Sequence, residues 1–423
     1  MAFRRRFSKR TFGLIMVAGA VIGAACGSGG DSESSEPPPA ERQEQQQEQQ
    51  EAPAAEPAAG SQDQPGASTV PVEFAITRVD RGTKPGIAID SDGTPLIAYL
   101  LERLGSEGWV RVARGDGSDV QQVHTGYVYG PLDITAAADG RVFVGFHDHD
   151  TEDGAVAVRD GDGWSVSQIA DDGHDGWDSS IGLGPNGELY YLGVDPLQFD
   201  PASSGVELAT LSDGAWTVRE VGSGAQPYEW GVDVATLSDG TVVIVYFDAE
   251  SQDLVFGVDG ANGFALTSIF TEGDAGRFPV LAVDQNDRAH VAFFQSAERV
   301  REEGPAPGNV MYGVQTADGG WRFETVGTVD DQVLGFAGAR RTVALALNGN
   351  EPVLAYIGTE RLTLARPDGS GGWSRQIVAE AEDAALQVVG LALDASGLPH
   401  LTYSTVTGGG TLDGEVWYAA PVS

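Results

Sequence analysis

The chain has a single cysteine, Cys26, so no disulfide can form within it and the fold must hold by packing alone. Basic residues are scarce. Lys and Arg number 25 against 62 Asp and Glu, a formal net charge of −37. Such a surface repels phosphates, which argues against nucleic acid as a partner and against attraction to an anionic membrane. Long apolar runs are missing too. The one candidate, Phe12 to Ala25, is short against the roughly 20 residues that a spanning helix needs. Two ordinary causes account for the acidity. Turns use Asp, and an exported protein gains solubility from net charge.

What the chain has in quantity is a repeated pattern. From Gly86 it reads G-I-A-I-D-S-D-G-T-P-L-I-A-Y, and related segments start at Asp233 and Gly390. Weaker copies start near Asp133, Ser180, Val280 and Ala344. Each is an alternating apolar run, a tight turn, and a second β-branched run, which is a β-hairpin. The turns align at Gly93, Gly140, Gly187, Gly240, Asp287, Asn350 and Gly397, in steps of 47, 47, 53, 47, 63 and 47 residues. Six positions past the turn stand Tyr99, Phe146, Tyr246, Phe293, Tyr356 and Tyr403, with Gly193 breaking the column. Third strands follow, such as L-V-F-G-V and V-M-Y-G-V. Fourth strands often open on Trp: Trp164, Trp216, Trp321 and Trp373. These aromatics are expected to pack between neighbouring sheets.

Periodic four-stranded units predict an all-β fold, a seven-bladed β-propeller. The last unit ends after its third strand, Val416 to Ala420. The segment Val72 to Val79, before the first unit, has the look of an unpaired fourth strand. Pairing the two closes the ring and hides both sheet edges. The expected division is residues 1–26 as a signal segment, 27–70 as a tether, and 71–423 as the propeller. The tether is Gly, Ser, Pro, Gln, Glu and Ala without apolar period, too polar to offset its ordering entropy. It reads as disordered.

Arg4, Arg5, Arg6, Lys9 and Arg10 precede the apolar stretch, and Gly23-Ala24-Ala25-Cys26 follows it. The latter resembles the lipobox of bacterial lipoproteins, and the basic head is similar to a twin-arginine export signal. An ordinary cleaved signal peptide is the alternative, and the lone cysteine directly after the apolar stretch favours lipidation. The lipobox resemblance implies lipidation at Cys26 and an extracytoplasmic protein touching the membrane only through that anchor. The ring is expected to be monomeric.

In a propeller, the loops joining strands two and three and those joining blades share one face. Three stretches there carry chemistry: Phe146-His147-Asp148-His149-Asp150, Asp171 to Asp178 with His174 and Trp177, and Gln226-Pro227-Tyr228-Glu229-Trp230. Eight residues past the turn, blades two to four carry Asp148, Asp195 and Asp248. This column reads as loop caps, as calcium ligands, or as a catalytic acid. His147, His149 and His174 with Asp175 suggest a zinc or iron site. His290 and His400 lie within second strands and read as packed residues.

Arg81, Arg277, Arg340 and Arg341 stand just before first strands, as solvated charges or as groups reaching the channel mouth. Gly276-Arg277-Phe278-Pro279 resembles the R-I-P signature of sialidases, which implies that Arg277 and Arg340 grip a substrate carboxylate. The repeats as a whole resemble the sialidase-like (BNR-type) propellers of bacterial surface lipoproteins. Three functions stay open. The leading one is a tethered binding module that takes a saccharide or protein ligand through His147, His149, His174, Trp177, Tyr228, Trp230, Arg277 and Arg340, with calcium at Asp148, Asp195 and Asp248. The others are a sialidase-like hydrolase or lyase, and a scaffold in a surface complex.

Overall fold

The computed structural model describes residues 71–422 apart from 103–107, 162, 170–175, 196–203, 226–230, 297–303, 335–340, 359, 382–383 and 408–413. It is all-β: seven four-stranded antiparallel sheets in a β-propeller. The first strands of neighbouring blades touch in sequence, the last against the first, so they ring a central channel.

Closure follows the pattern read from the repeats. Phe74–Arg81 is the outer strand of blade seven and pairs antiparallel with Gly414–Pro421, from Phe74 opposite Pro421 to Arg81 opposite Glu415. Its Val79 packs against Tyr99 and Ile97 of blade one, while Phe74 packs on the core between blades six and seven. One strand therefore serves two joints.

The core is not central. It is divided among seven apolar clusters, each made by two adjacent blades. The aromatic column supplies them: Tyr99, Phe146, Tyr246, Phe293, Tyr356 and Tyr403 are all buried. Gly193 breaks the column for a steric reason. A Cβ there would lie 2.7 Å from the Gly176 Cα. The space is filled by Tyr191, whose hydroxyl reaches the carbonyls of Phe146 and Gly176 at 3.2 and 2.9 Å. The fourth-strand tryptophans behave as expected. Three indole N–H groups donate backwards to the preceding blade: Trp164 to Gln121, Trp216 to Ser167, Trp373 to Glu324; Trp321 instead packs edge-on against Phe256 of the preceding blade.

The hairpin turns explain much of the acidity. Asp90, Asp284 and Asp394 each accept two backbone N–H groups of their own turn through one oxygen. Blade six departs from the expected register. Asn348 pairs directly with Glu351, so the left-handed turn residue is Gly349 and not Asn350. A two-residue turn there replaces the longer turn of the other blades.

Candidate functional site in the central channel

The residue seven places before each turn sits on a first strand, and these strands ring the channel. Blades two, three and four put Asp133, Ser180 and Asp233 there, where blades one, five and seven have Gly86, Val280 and Gly390. The three polar side chains meet. Ser180 Oγ lies 3.0 Å from Asp133 Oδ2 and 2.6 Å from Asp233 Oδ1. Arg341, which precedes the first strand of blade six, crosses the channel and donates to Asp133 Oδ1 at 3.3 Å. Backbone amides complete the site. Asp133 accepts from Ile134 and Ile181, both at 3.0 Å. Asp233 accepts from Val234 at 2.9 Å and from Leu281 at 2.7 Å. Each carboxyl thereby ties its own blade to the next.

The electrostatics are uneven. Burial pushes the Asp233 carboxyl up to about 6; Arg341 opposes this, Asp133 adds to it, and the Ser180 and Leu281 bonds oppose it. For Arg341 burial works against the charge, but Asp133 and Asp233 outweigh it and hold the guanidinium above its ordinary value. Water still reaches the cluster. The side chains of Arg341 and Asp133 keep 21% and 17% of their exposure. A carboxylic acid titrating near neutrality beside an ion-paired carboxylate can hand over a proton and take one back.

The approach to the channel is kinked. Five of the first strands shift register against their partners just before the channel position. At these bulges Lys84, Asp178, Phe278 and Val388 take positive φ of 54°, 47°, 53° and 41°. For a β-branched residue such as Val388 that conformation is strained. The residue before the bulge is turned inward: Thr83, Trp177 and Arg277 are all buried.

This decides the fate of Arg277. It is 2% exposed, bonds Asp274 through Nε to Oδ1 at 2.6 Å and through Nη2 to Oδ2 at 2.8 Å, and lies over the Phe247 ring. It is built into the joint of blades four and five and does not face a ligand, a correction to the gripping role implied by the R-I-P resemblance. Arg340 lies outside the described residues, as do His174, Asp175, Tyr228, Trp230 and Cys26.

His147, His149 and Trp177 do come together. The His147 ring lies tilted by 31° against Trp177 at 4.3 Å, and His149 meets the same indole edge-on at 5.6 Å. The three aspartates of the column do not share a site. Asp148 Oδ1 caps the Asp150 amide and its other oxygen faces His124 Nε2 at 3.3 Å. Burial raises its pKa, but His124 and the amide outweigh that and hold the carboxyl below its usual range. Asp248 caps the amides of Glu250 and Ser251. Asp195 stands half-buried at the end of its strand. Among the described residues the group spaced to hold an ion is His147, His149 and Glu152, with none of these aspartates in it. His290 and His400 are packed residues as expected, each set between a turn aspartate and a tyrosine hydroxyl.

Asp133, Ser180, Asp233 and Arg341 were not singled out together by sequence. The legible signal was a polar run in a channel column that is otherwise small or apolar.

No protein-family model and no curated protein matches the chain. Solved structures do share its fold. An ulvan lyase of a polysaccharide lyase family, bound to -[GlcA(1-4)Rha3S]-, superposes with a TM-score of 0.51 at 10% identity, over 82% of this chain and 96% of its own. The α-L-arabinanase of Penicillium chrysogenum, complexed with arabinobiose, gives 0.45 at 10% identity over 82% and 98%. AofleA of Arthrobotrys oligospora gives 0.43 at 11% identity over 83% and 90%. At such identities the likeness is one of fold.

Proposed function

We propose that the protein is a glycoside hydrolase acting on a neutral saccharide at the mouth of the propeller channel. The observation that carries this is the carboxyl pair Asp133 and Asp233, which share the Ser180 hydroxyl under Arg341. Two carboxyls so close fit the retaining spacing of about 5–5.5 Å better than the inverting one of about 6.5–9.5 Å. In this reading Asp233 protonates the leaving glycosidic oxygen while an Asp133 oxygen bonds the anomeric carbon. Asp233 then takes a proton from the water that breaks the glycosyl–enzyme bond. A lyase fits less well. It needs a cation for a uronate carboxylate, and Arg341 is already engaged with Asp133 and Asp233. The net charge of −37 also repels polyanionic substrates.

A non-catalytic saccharide-binding module is the second reading. It is favoured by the way both carboxyls bind amides of the next blade, as structural staples do. The test is to incubate the protein with neutral and uronate-containing polysaccharides and follow new reducing ends. Release from a neutral substrate, lost in Asp233→Asn with binding kept, supports the hydrolase. Binding without release, unchanged in that variant, supports the module. The same reading places the protein on the extracytoplasmic face, held by a lipid at Cys26, with the polar segment 27–70 as spacer.

A further inference from the structure

We propose that His147, His149 and Glu152 hold a divalent transition-metal ion on the loop face of blade two, independently of the channel carboxyls. Their ligand atoms all lie within 4.8 Å of one another. His149 Nδ1 and Glu152 Oε2 are 3.4 Å apart. That is long for an N–H···O bond, which runs about 2.7–3.2 Å. It matches the edge of a tetrahedron, about 3.3–3.4 Å, around an ion with bonds of about 2.0–2.1 Å. The pair is spaced as two ligands of one ion.

The local backbone brings this about. The Asp148 carbonyl accepts the Thr151 amide at 3.2 Å, and Glu152 takes the left-handed conformation with φ of 63°. That tight turn carries the Glu152 carboxylate back over the imidazole three residues earlier. His147 is 1% exposed and packs against the Trp177 ring. The side chains of His149 and Glu152 keep 29% and 35% of their exposure. One ligand is deep and two lie at the rim, which leaves the solvent side open to water or to a ligand oxygen.

Two imidazoles with one carboxylate select for zinc, iron(II), cobalt or nickel. Calcium, which takes six to eight oxygens, finds one carboxylate here. Asp148, between the two histidines in sequence, faces His124 and its own loop. The strongly negative surface raises the local concentration of any cation without choosing among them.

Zinc serves as the probe. The full chain is stripped with chelator, dialysed, and titrated with zinc sulfate by calorimetry at neutral pH, with parallel melting curves in zinc and in calcium. The expected result is one zinc per chain and a melting temperature raised by zinc and not by calcium. His149→Ala and Glu152→Gln should each lose the bound equivalent and the zinc-dependent rise, while melting like the metal-free parent. Asp248→Asn should keep both. Glu152→Gln is nearly isosteric and carries the test if His149→Ala folds poorly. Less than one zinc per chain in the parent overturns the proposal, as does full binding retained by both variants.

Discussion

Ser180 has one hydroxyl proton and a carboxyl oxygen on either side, at 3.0 and 2.6 Å. Burial pushes the Asp233 carboxyl up to about 6, against the Ser180 bond, which favours its charged form. The Ser180 hydroxyl is in donor reach of both carboxyls and is closer to Asp233. The linkage has a definite sign. A carboxyl raised from 3.8 to about 6 on folding contributes stability that is fully present below about pH 3.8 and lost as pH rises through about 6. Asp233→Asn keeps a hydrogen-bonding group and cannot ionise. It should gain on the parent as pH rises from about 4 to about 8, by at most about 3 kcal/mol and less where channel water screens the charge. Denaturant unfolding of both proteins across that range is the check, and a constant difference between them would remove Asp233 from its role. Arg277 gives a second prediction. Removing one partner of its buried pair with Asp274 strands the other charge, at about 3–5 kcal/mol. Arg277→Ala should therefore unfold at much lower denaturant. A ligand-gripping arginine would lose binding and leave stability nearly unchanged. The residue stood out in the sequence, but its partner Phe247 belongs to the preceding blade and only the folded joint reveals it.

The strand Phe74–Arg81 fills the outer place of blade seven and packs on clusters at both neighbouring joints. A chain that begins at Lys84 would leave the Gly414–Pro421 edge with unpaired amides and carbonyls and open two of the seven cores. It should melt several degrees below a chain that begins at Ser68, in one cooperative transition. Equal melting of the two would show that the ring does not depend on this strand. The strand was legible in sequence because closure leaves a simple imbalance, three strands at one end and one at the other. The bulges of the first strands were not legible. Lys84, Gly130, Asp178, Phe278 and Val388 share positive φ and nothing in chemistry. Blade six shows the same limit on a smaller scale. Its turn reads equally as centred on Gly349 or on Asn350 until the Asn348–Glu351 pairing fixes it.

At the scale of the whole molecule the ring turns distance along the chain into proximity. Arg341 and Asp133 are 208 residues apart and meet because blades six and two face each other across the channel. Repeat arithmetic gives the blade count but does not say which channel residues touch, so the fold was far more readable than the site. The same closed ring, without disulfides, distributes its core over seven similar joints. Strain at one joint is therefore shared by the rest. Outside the ring, the membrane attachment proposed for the protein is a lipid at Cys26. No helix among the described residues is long and apolar enough to cross a membrane. The surface charge of −37 gives no attraction to anionic headgroups. In the proposed arrangement a lipid on Cys26 supplies the hold. A single acyl chain binds only reversibly, so stable anchoring takes more than one. Cys26→Ser should move the protein from the membrane to the soluble fraction while leaving the melting temperature of the ring unchanged, because residue 26 lies far in sequence from the first strand at Phe74. Fractionation and a melting curve on the same preparation make the check. A variant that stays with the membrane would mean that another segment holds it, and the anchor would have to be sought between Phe12 and Ala25.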